Sequence, residues 1–283
     1  MRRSLAAVAA AVLTVVLAPS PADAIVGGQP DGNAHPYAGL ILVPGEGVCS
    51  GTLIDADAVL TAGHCTDFFD QEGFETVLVT FDSEAAVDRK TWLPIAGEGT
   101  WYEASGWVTH PDYVEADWPF THDYGLIFLE EDVVGIAPAN LPTPGLIADL
   151  VGTTGQTGYR FLDVGYGVSR IVRGGGTPVS TLDFVRKVAV QRYRPGQGAV
   201  GALDPLWFIL GNVPSAQHGS GCGGDSGSAI FPNAEGDLGN TIVAVHTGGY
   251  SLGFEGEVCG RITSLNHRVD DPDVLRWIKG YLV

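Results

Sequence analysis

The segment Gly221-Cys222-Gly223-Gly224-Asp225-Ser226-Gly227-Ser228-Ala229 sets one serine among glycines. A serine hydroxyl attacks a carbonyl only when a base takes its proton, and the resulting oxyanion needs donors already in place. With no side chain at Gly224, its backbone N–H is free to turn toward that oxyanion beside the N–H of Ser226. Far upstream, Leu60-Thr61-Ala62-Gly63-His64-Cys65 follows a strand-like run and presents His64 as the base. Cys65 beside it can bridge to Cys49 and pin the loop, a closure worth roughly 3 kcal/mol in the chain-entropy model. Asp123 stands at the mouth of the apolar run Leu126–Leu129, where a carboxylate can accept the imidazole Nδ1 hydrogen and fix the tautomer. Singly, a glycine-rich turn, a lone histidine and an aspartate before a strand are ordinary structural features. Together they are the parts of an acyl-transfer site, with Ser226 as nucleophile, His64 as base, Asp123 orienting it, and the Gly224 and Ser226 amides as oxyanion donors.

Residues so far apart in the chain need a scaffold of many crossing segments to meet. Forty Gly and seventeen Pro divide the sequence into short stretches. Several are rich in β-branched and aromatic residues: Leu40–Val43, Val59–Ala62, Val77–Phe81, Leu126–Leu129, Phe184–Val190 and Ile242–His246. This is an all-β pattern. One helix is expected, over 271–283: Asp271 suits the N-cap, Pro272 the first turn, and Val274, Leu275, Ile278 and Leu282 share a face. The proline-rich stretch Val133–Leu150 reads as a connection between two β units.

The first residues, Met1-Arg2-Arg3-Ser4, precede an apolar run from Leu5 to Ala18 and the small-residue site Ala22-Asp23-Ala24. They predict a signal peptide over 1–24, since the run is short of the roughly 20 residues that span a bilayer. A secreted, extracellular protein starting at Ile25 is then expected, without membrane attachment after cleavage. Losing Arg2, Arg3 and Asp23 leaves 13 basic against 32 acidic side chains, a balance that excludes a nucleic-acid partner. Residues 25–283 can bury a substantial core as one large β domain or two smaller ones. Cys49, Cys65, Cys222 and Cys259 read as two disulfides, because no spacing among them resembles a zinc ligand pair. No cofactor or metal is expected, and His35, His110, His122, His218 and His267 have no ligand-like spacing.

At this point the chain resembles the trypsin-like (chymotrypsin-fold) serine protease family over nearly all of 25–283. Ile25-Val26-Gly27-Gly28 is similar to its mature N-terminus, Cys49-Ser50-Gly51-Thr52-Leu53-Ile54 with Leu60–Cys65 to its histidine segment, and Val108-Thr109-His110-Pro111-Asp112-Tyr113 to the approach to its aspartate. Asn140-Leu141-Pro142, Val164-Gly165-Tyr166-Gly167 and Arg261-Ile262-Thr263-Ser264-Leu265 fit later segments, and the order His, Asp, Ser agrees. The resemblance implies two antiparallel β-barrels packed side by side with a C-terminal α-helix. The first barrel would cover about 25–135 and carry His64 and Asp123; the second would cover about 150–270 and carry Ser226. It further implies a monomer acting on protein or peptide substrates. Activation would follow from a freed Ile25 amine buried against Asp225. Because Ala24, not Lys or Arg, precedes Ile25, signal peptidase alone is expected to create that amine.

The chain departs from the family at several points. Ser228 replaces a second glycine after the nucleophile, which also excludes the lipase nucleophile elbow. The resemblance makes Ser220 the floor of the primary specificity pocket, where the absence of an aspartate disfavours Lys or Arg and suits a large apolar side chain. Gly248 would line the pocket entrance. His246 resembles the pocket histidine of glutamyl endopeptidases, or else is a strand residue hydrogen-bonded near Asp123. The resemblance would pair Cys222 with Cys259, which is displaced from the family position by a long loop, and Glu257 would then point toward the pocket floor. Asp67, Asp70, Glu72 and Glu75 do not match the family calcium loop and read as an exposed acidic loop. The expected function is a secreted serine endopeptidase. The alternatives are glutamyl-type specificity, hydrolysis of non-peptide esters, or a protease-like binding protein without catalysis.

Overall fold

A computed structural model describes residues 25, 28–115, 121–153, 159–168, 170–172, 179–194, 205–211, 221–250 and 263–282. In chain order the strands begin with β1 (Gln29–Pro30), β2 (Ala38–Val43), β3 (Gly47–Leu53), β4 (Ala58–Thr61), β5 (Leu78–Thr80), β6 (Tyr102–Thr109) and β7 (Gly125–Leu129). They continue with β8 (Arg160–Gly165), β9 (Arg170–Val172), β10 (Val179–Thr181), β11 (Lys187–Tyr193), β12 (Trp207–Gly211), β13 (Ala229–Pro232), β14 (Ala244–Tyr250) and β15 (Thr263–Arg268). The helices are α1 (Gly63–Glu72), α2 (Leu146–Thr153), α3 (Gly236–Gly239) and α4 (Pro272–Lys279).

Two closed antiparallel barrels of six strands result. The first runs β2-β3-β4-β7-β6-β5 and returns to β2; the second runs β8-β11-β12-β15-β14-β13 and returns to β8, with β1 added outside β11. Closure leaves no long sheet edge to aggregate. The whole of β2 is buried because its alternating side chains meet two different cores. Ile41 and Val43 point into the main core, whereas Leu40 and Leu42 pack with Tyr166 and Phe184 from the second-barrel half.

The junction between the barrels also contains a charge. Arg186 is fully buried and spends its guanidinium on both halves: Nε donates to Asp31 Oδ2 at 3.0 Å, Nη1 to the carbonyls of Ala38 and Phe81 at 2.9 Å each, and Nη2 to Gly32 O at 2.9 Å. Asp31 Oδ1 in turn lies 2.5 Å from His35 Nδ1. Removing one partner of a buried ion pair strands the other's charge and its hydrogen bonds, at about 3–5 kcal/mol. Arg186→Met is therefore expected to lower stability by about that much, read as a shift in the urea midpoint at unchanged m-value. A shift worth less than about 1 kcal/mol would show that the guanidinium does not tie the barrels.

The C-terminal helix forms over Pro272–Lys279, ending before the expected residue 283 and short of Leu282, with Asp271 accepting from Asp273 N at 2.8 Å and Val274 N at 3.3 Å while Val274, Leu275 and Ile278 turn inward. Two segments differ from expectation. Asp67, Asp70 and Glu72 lie on α1, not on a loop. Cys65, Thr66 and Phe69 bury one side of this helix while Asp67 and Asp70 stay on the other, and Gly73 closes it in the left-handed conformation. Its amphipathic stripe is too short, and too weakly capped locally, to stand out in the sequence. The stretch Val133–Leu150, expected as connection only, starts α2 near its end, where Ile147 and Leu150 pack against Phe161 and Phe208.

Candidate active site

The histidine loop is built at the first-barrel rim. β4 ends at Thr61, and α1 starts immediately with His64 in its first turn. The helix has no side-chain cap of its own at Ala62; Asp123 supplies one from 59 positions away, its Oδ1 accepting from His64 N–H at 2.7 Å. An N-terminal helix amide left without a partner would be costly, and a carboxylate there also meets the positive end of the helix. The same carboxylate faces the ring: Nδ1 lies 2.9 Å from Oδ2 and 3.2 Å from Oδ1. Gly63 permits this approach, since a Cβ there would sit 2.9 Å from Tyr124 N and 3.2 Å from Asp123 Oδ1. The disulfide Cys49–Cys65 ties β3 to this first turn.

Electrostatics follow the geometry. Burial alone would raise the Asp123 carboxyl, but the charge and hydrogen bond of His64, with His267 behind it, hold it below the ordinary carboxylate value. For His64, burial pulls downward, yet the charge of Asp123, its hydrogen bond and the charge of Asp67 together raise the imidazole above its usual 6.5. With Nδ1–H committed to Asp123, the ring presents Nε2 as its basic nitrogen. The Asp123 side chain is fully buried while 23% of the His64 side chain remains exposed.

The Ser226 loop comes from the second barrel and is clamped to the first. Ser226 O accepts from Ser50 N at 2.8 Å, and Cys65 Sγ lies 3.9 Å from the same oxygen. Gly224 and Gly227 have φ of +92° and +82°, where a side chain is strained. A Cβ on Gly227 would meet Thr61 Oγ1 at 2.1 Å and Ser50 O at 2.2 Å, so the barrels approach this closely only around a glycine. Gly227 N donates to His246 O at 2.8 Å, and His246 N to Ser228 O at 2.9 Å, which locks the loop to β14.

Under the loop lies a buried acidic pair. Asp225 accepts from Gly167 N at 2.7 Å and Cys222 N at 2.9 Å. Burial, then the charge of Asp163, pushes its carboxyl well up, against the pull of those amides and of Lys187. Asp163 is raised by burial too, and accepts from Ser228 Oγ at 2.6 Å and Gln191 Nε2 at 2.7 Å. Ser228, the departure from glycine, thus has a specific partner in β8. Ile25 is fully buried, but as a residue inside an intact chain it offers an amide and not an ammonium, and no hydrogen bond joins it to Asp225.

His246 is only 2% exposed. Its Nδ1 lies 3.0 Å from Ser264 Oγ and 3.2 Å from Asn266 Oδ1, and its ring backs Gly221, where a Cβ would sit 2.6 Å from Nε2. Burial lowers its pKa despite the nearby charge of Asp163. Gly248 follows in β14, at a register shift against β15 between His246 and Gly248. Ser220, Glu257 and Cys259 lie outside the described residues; Cys222 is disulfide-bonded. Among the described residues no cluster of acidic, histidine or cysteine side chains is arranged to hold a metal, and no helix is long and apolar enough to cross a membrane. Sequence reasoning passed over Ser50, Asp163, Gln191 and Arg186, since nothing in a strand serine or an isolated buried polar residue marks its partner.

The double barrel, with His64, Asp123 and the Ser226 loop gathered where the two halves meet, has the architecture of the chymotrypsin-fold serine peptidases. The family model for trypsin matches residues 25–269, and the chain belongs to that family. Among curated proteins no relative matches it. The chain therefore carries a serine peptidase domain.

Proposed function

We propose that this protein is a secreted serine endopeptidase, active as a monomer after removal of residues 1–24, that cleaves protein or peptide substrates through Ser226, His64 and Asp123. The observation that carries the reading is the His64 Nδ1 to Asp123 Oδ2 contact of 2.9 Å beside a Ser226 loop held to the same rim through Ser50. Ser226 attacks the scissile carbonyl, His64 takes the proton and returns it to the leaving amine, and Asp123 stabilises the imidazolium. The N–H groups of Gly224 and Ser226 hold the oxyanion. Cleavage before Ile25 would convert its amide to an ammonium able to enter beside Asp225, and an opposite charge there would bring the raised carboxyl down. The acidic surface disfavours nucleic acid.

For specificity, the buried and hydrogen-bonded His246, held neutral, supports a structural role and favours a large apolar P1 side chain over a carboxylate. A fluorophosphonate probe and a peptide library test both parts. Labelling of the processed protein that disappears on Ser226→Ala, with cleavage after large apolar residues, is expected. No labelling would remove the catalytic reading, and cleavage after Glu, Lys or Arg the specificity.

The base works only as neutral imidazole, so activity should rise with pH through the His64 value. Because Asp123 raises that value above 6.5, the acid limb of kcat/KM is expected above 6.5, and Asp123→Asn should move it down. The stability that the pair contributes has the opposite sense. It is complete between the unfolded carboxylate and unfolded histidine values, and is lost as pH rises through the raised His64 value or falls through the lowered Asp123 value. A wild-type limb below 6.5 would contradict this electrostatic assignment.

A further inference from the structure

Ser50 touches the Ser226 loop twice, and only one of the contacts is made by its backbone. It lies in β3 on the first barrel, 1% exposed. Its N–H donates to Ser226 O at 2.8 Å, as any residue's would. Its hydroxyl does something that depends on its being serine: Oγ lies 3.0 Å from Gly224 O and 3.0 Å from Tyr166 N. The direction of both bonds is set by chemistry. A peptide N–H only donates and a carbonyl only accepts, so Tyr166 N–H must point at Oγ and the single hydroxyl proton must point at Gly224 O.

The consequence falls on the two residues whose amides face the oxyanion in the catalytic reading above, on which this inference rests. Ser50 holds the carbonyls of both, Gly224 through Oγ and Ser226 through its N–H. The Gly224–Asp225 peptide is gripped at its other end as well, where Asp225 N donates to Cys222 O at 2.9 Å. Gly224 itself has no Cβ to choose a backbone well, and it sits at φ +92°, a value glycine adopts no more readily than several others. Something outside the residue must select it. The Gly224 side of the loop packs on Gly167, Val48 and Leu182, none of which bonds its carbonyl; the Ser50 hydroxyl does.

We propose that Ser50 is a positioning residue of the oxyanion hole. The peptide that carries the Gly224 N–H is held at Gly223 O by Val168 N at 2.8 Å; the Ser50 hydroxyl relays the Tyr166 amide to Gly224 O in the next peptide, and the two anchors together fix the Gly224 dihedrals that aim its N–H at the developing oxyanion. A preorganised donor matters most when charge appears on the substrate oxygen, so loss of the hydroxyl should fall on the transition state and spare substrate binding.

The test uses processed wild type, Ser50→Ala and Ser50→Gly, with active sites counted by fluorophosphonate titration. For both variants kcat on a peptide amide is expected to fall about tenfold, roughly the effect of one lost hydrogen bond. KM should stay within twofold, inhibition by a tetrahedral peptide boronate should weaken in proportion to kcat, and the acid limb set by His64 should not move. Wild-type kcat in both folded variants would overturn the proposal, as would a loss carried by KM or a displaced acid limb. Failure of both to fold, read by circular dichroism, would assign the hydroxyl to stability and overturn it equally. Wild type that neither labels nor hydrolyses would overturn the peptidase reading and this one with it. An active wild type with unaffected variants would overturn this one alone.

Discussion

Ser226→Ala is expected to reduce kcat on a peptide amide by about 10^6-fold, the scale seen when the nucleophile is removed from a unit whose members act together. The folded structure should be unaffected. The loop is held by its backbone, through Ser226 O to Ser50 N and Gly227 N to His246 O, and alanine keeps both bonds. A melting temperature within a degree or two of wild type, together with loss of fluorophosphonate labelling, would separate removal of chemistry from loss of fold. Residual activity greater than about a hundredth of wild type would mean that another group is the nucleophile. Slow background hydrolysis should survive, because in the proposed mechanism the backbone amides at positions 224 and 226 still stabilise an oxyanion formed by attacking water.

Asp123→Asn should cost about 10^4-fold in kcat, for a different reason. The amide is nearly the same shape and can still accept from His64 N–H, so α1 keeps a cap from the same place. What changes is the ring. An Asn NH2 turned toward Nδ1 donates to it, which drives the imidazole proton to Nε2, where the base must be empty. The charge that raises His64 disappears as well, so the acid limb of the residual activity should fall relative to wild type. kcat/KM measured across pH 5 to 9 for both proteins checks the two effects together. An Asn variant within tenfold of wild type would show that Asp123 does not orient the base.

Much of the candidate site was legible in the chain because the chemistry proposed for it demands particular residue types in particular local settings. A serine between glycines with φ near +90°, a histidine before a cysteine and an aspartate before an apolar strand each leave a local trace. The fold class was equally visible: short β-rich segments separated by glycine and proline, ending in Asp271-Pro272 and an apolar helical face, correspond to two closed barrels and α4. The acidic stretch after Cys65 was misread as a loop. Its helix draws its cap from Asp123, in a segment the local pattern cannot see.

Residue types, the order of His64, Asp123 and Ser226, and the all-β class were determined by the sequence alone, since they depend on local chemistry and local backbone preference. Tertiary structure decided the partnerships: Arg186 reaching Ala38 and Phe81 across the barrel junction, Ser228 on Asp163, and the Ser50 hydroxyl on Gly224 O. A hydrogen bond between residues 174 positions apart has no local signature. It exists only because two barrels close separately and then press their rims together, and only there do buried polar groups find the partners that make their burial tolerable.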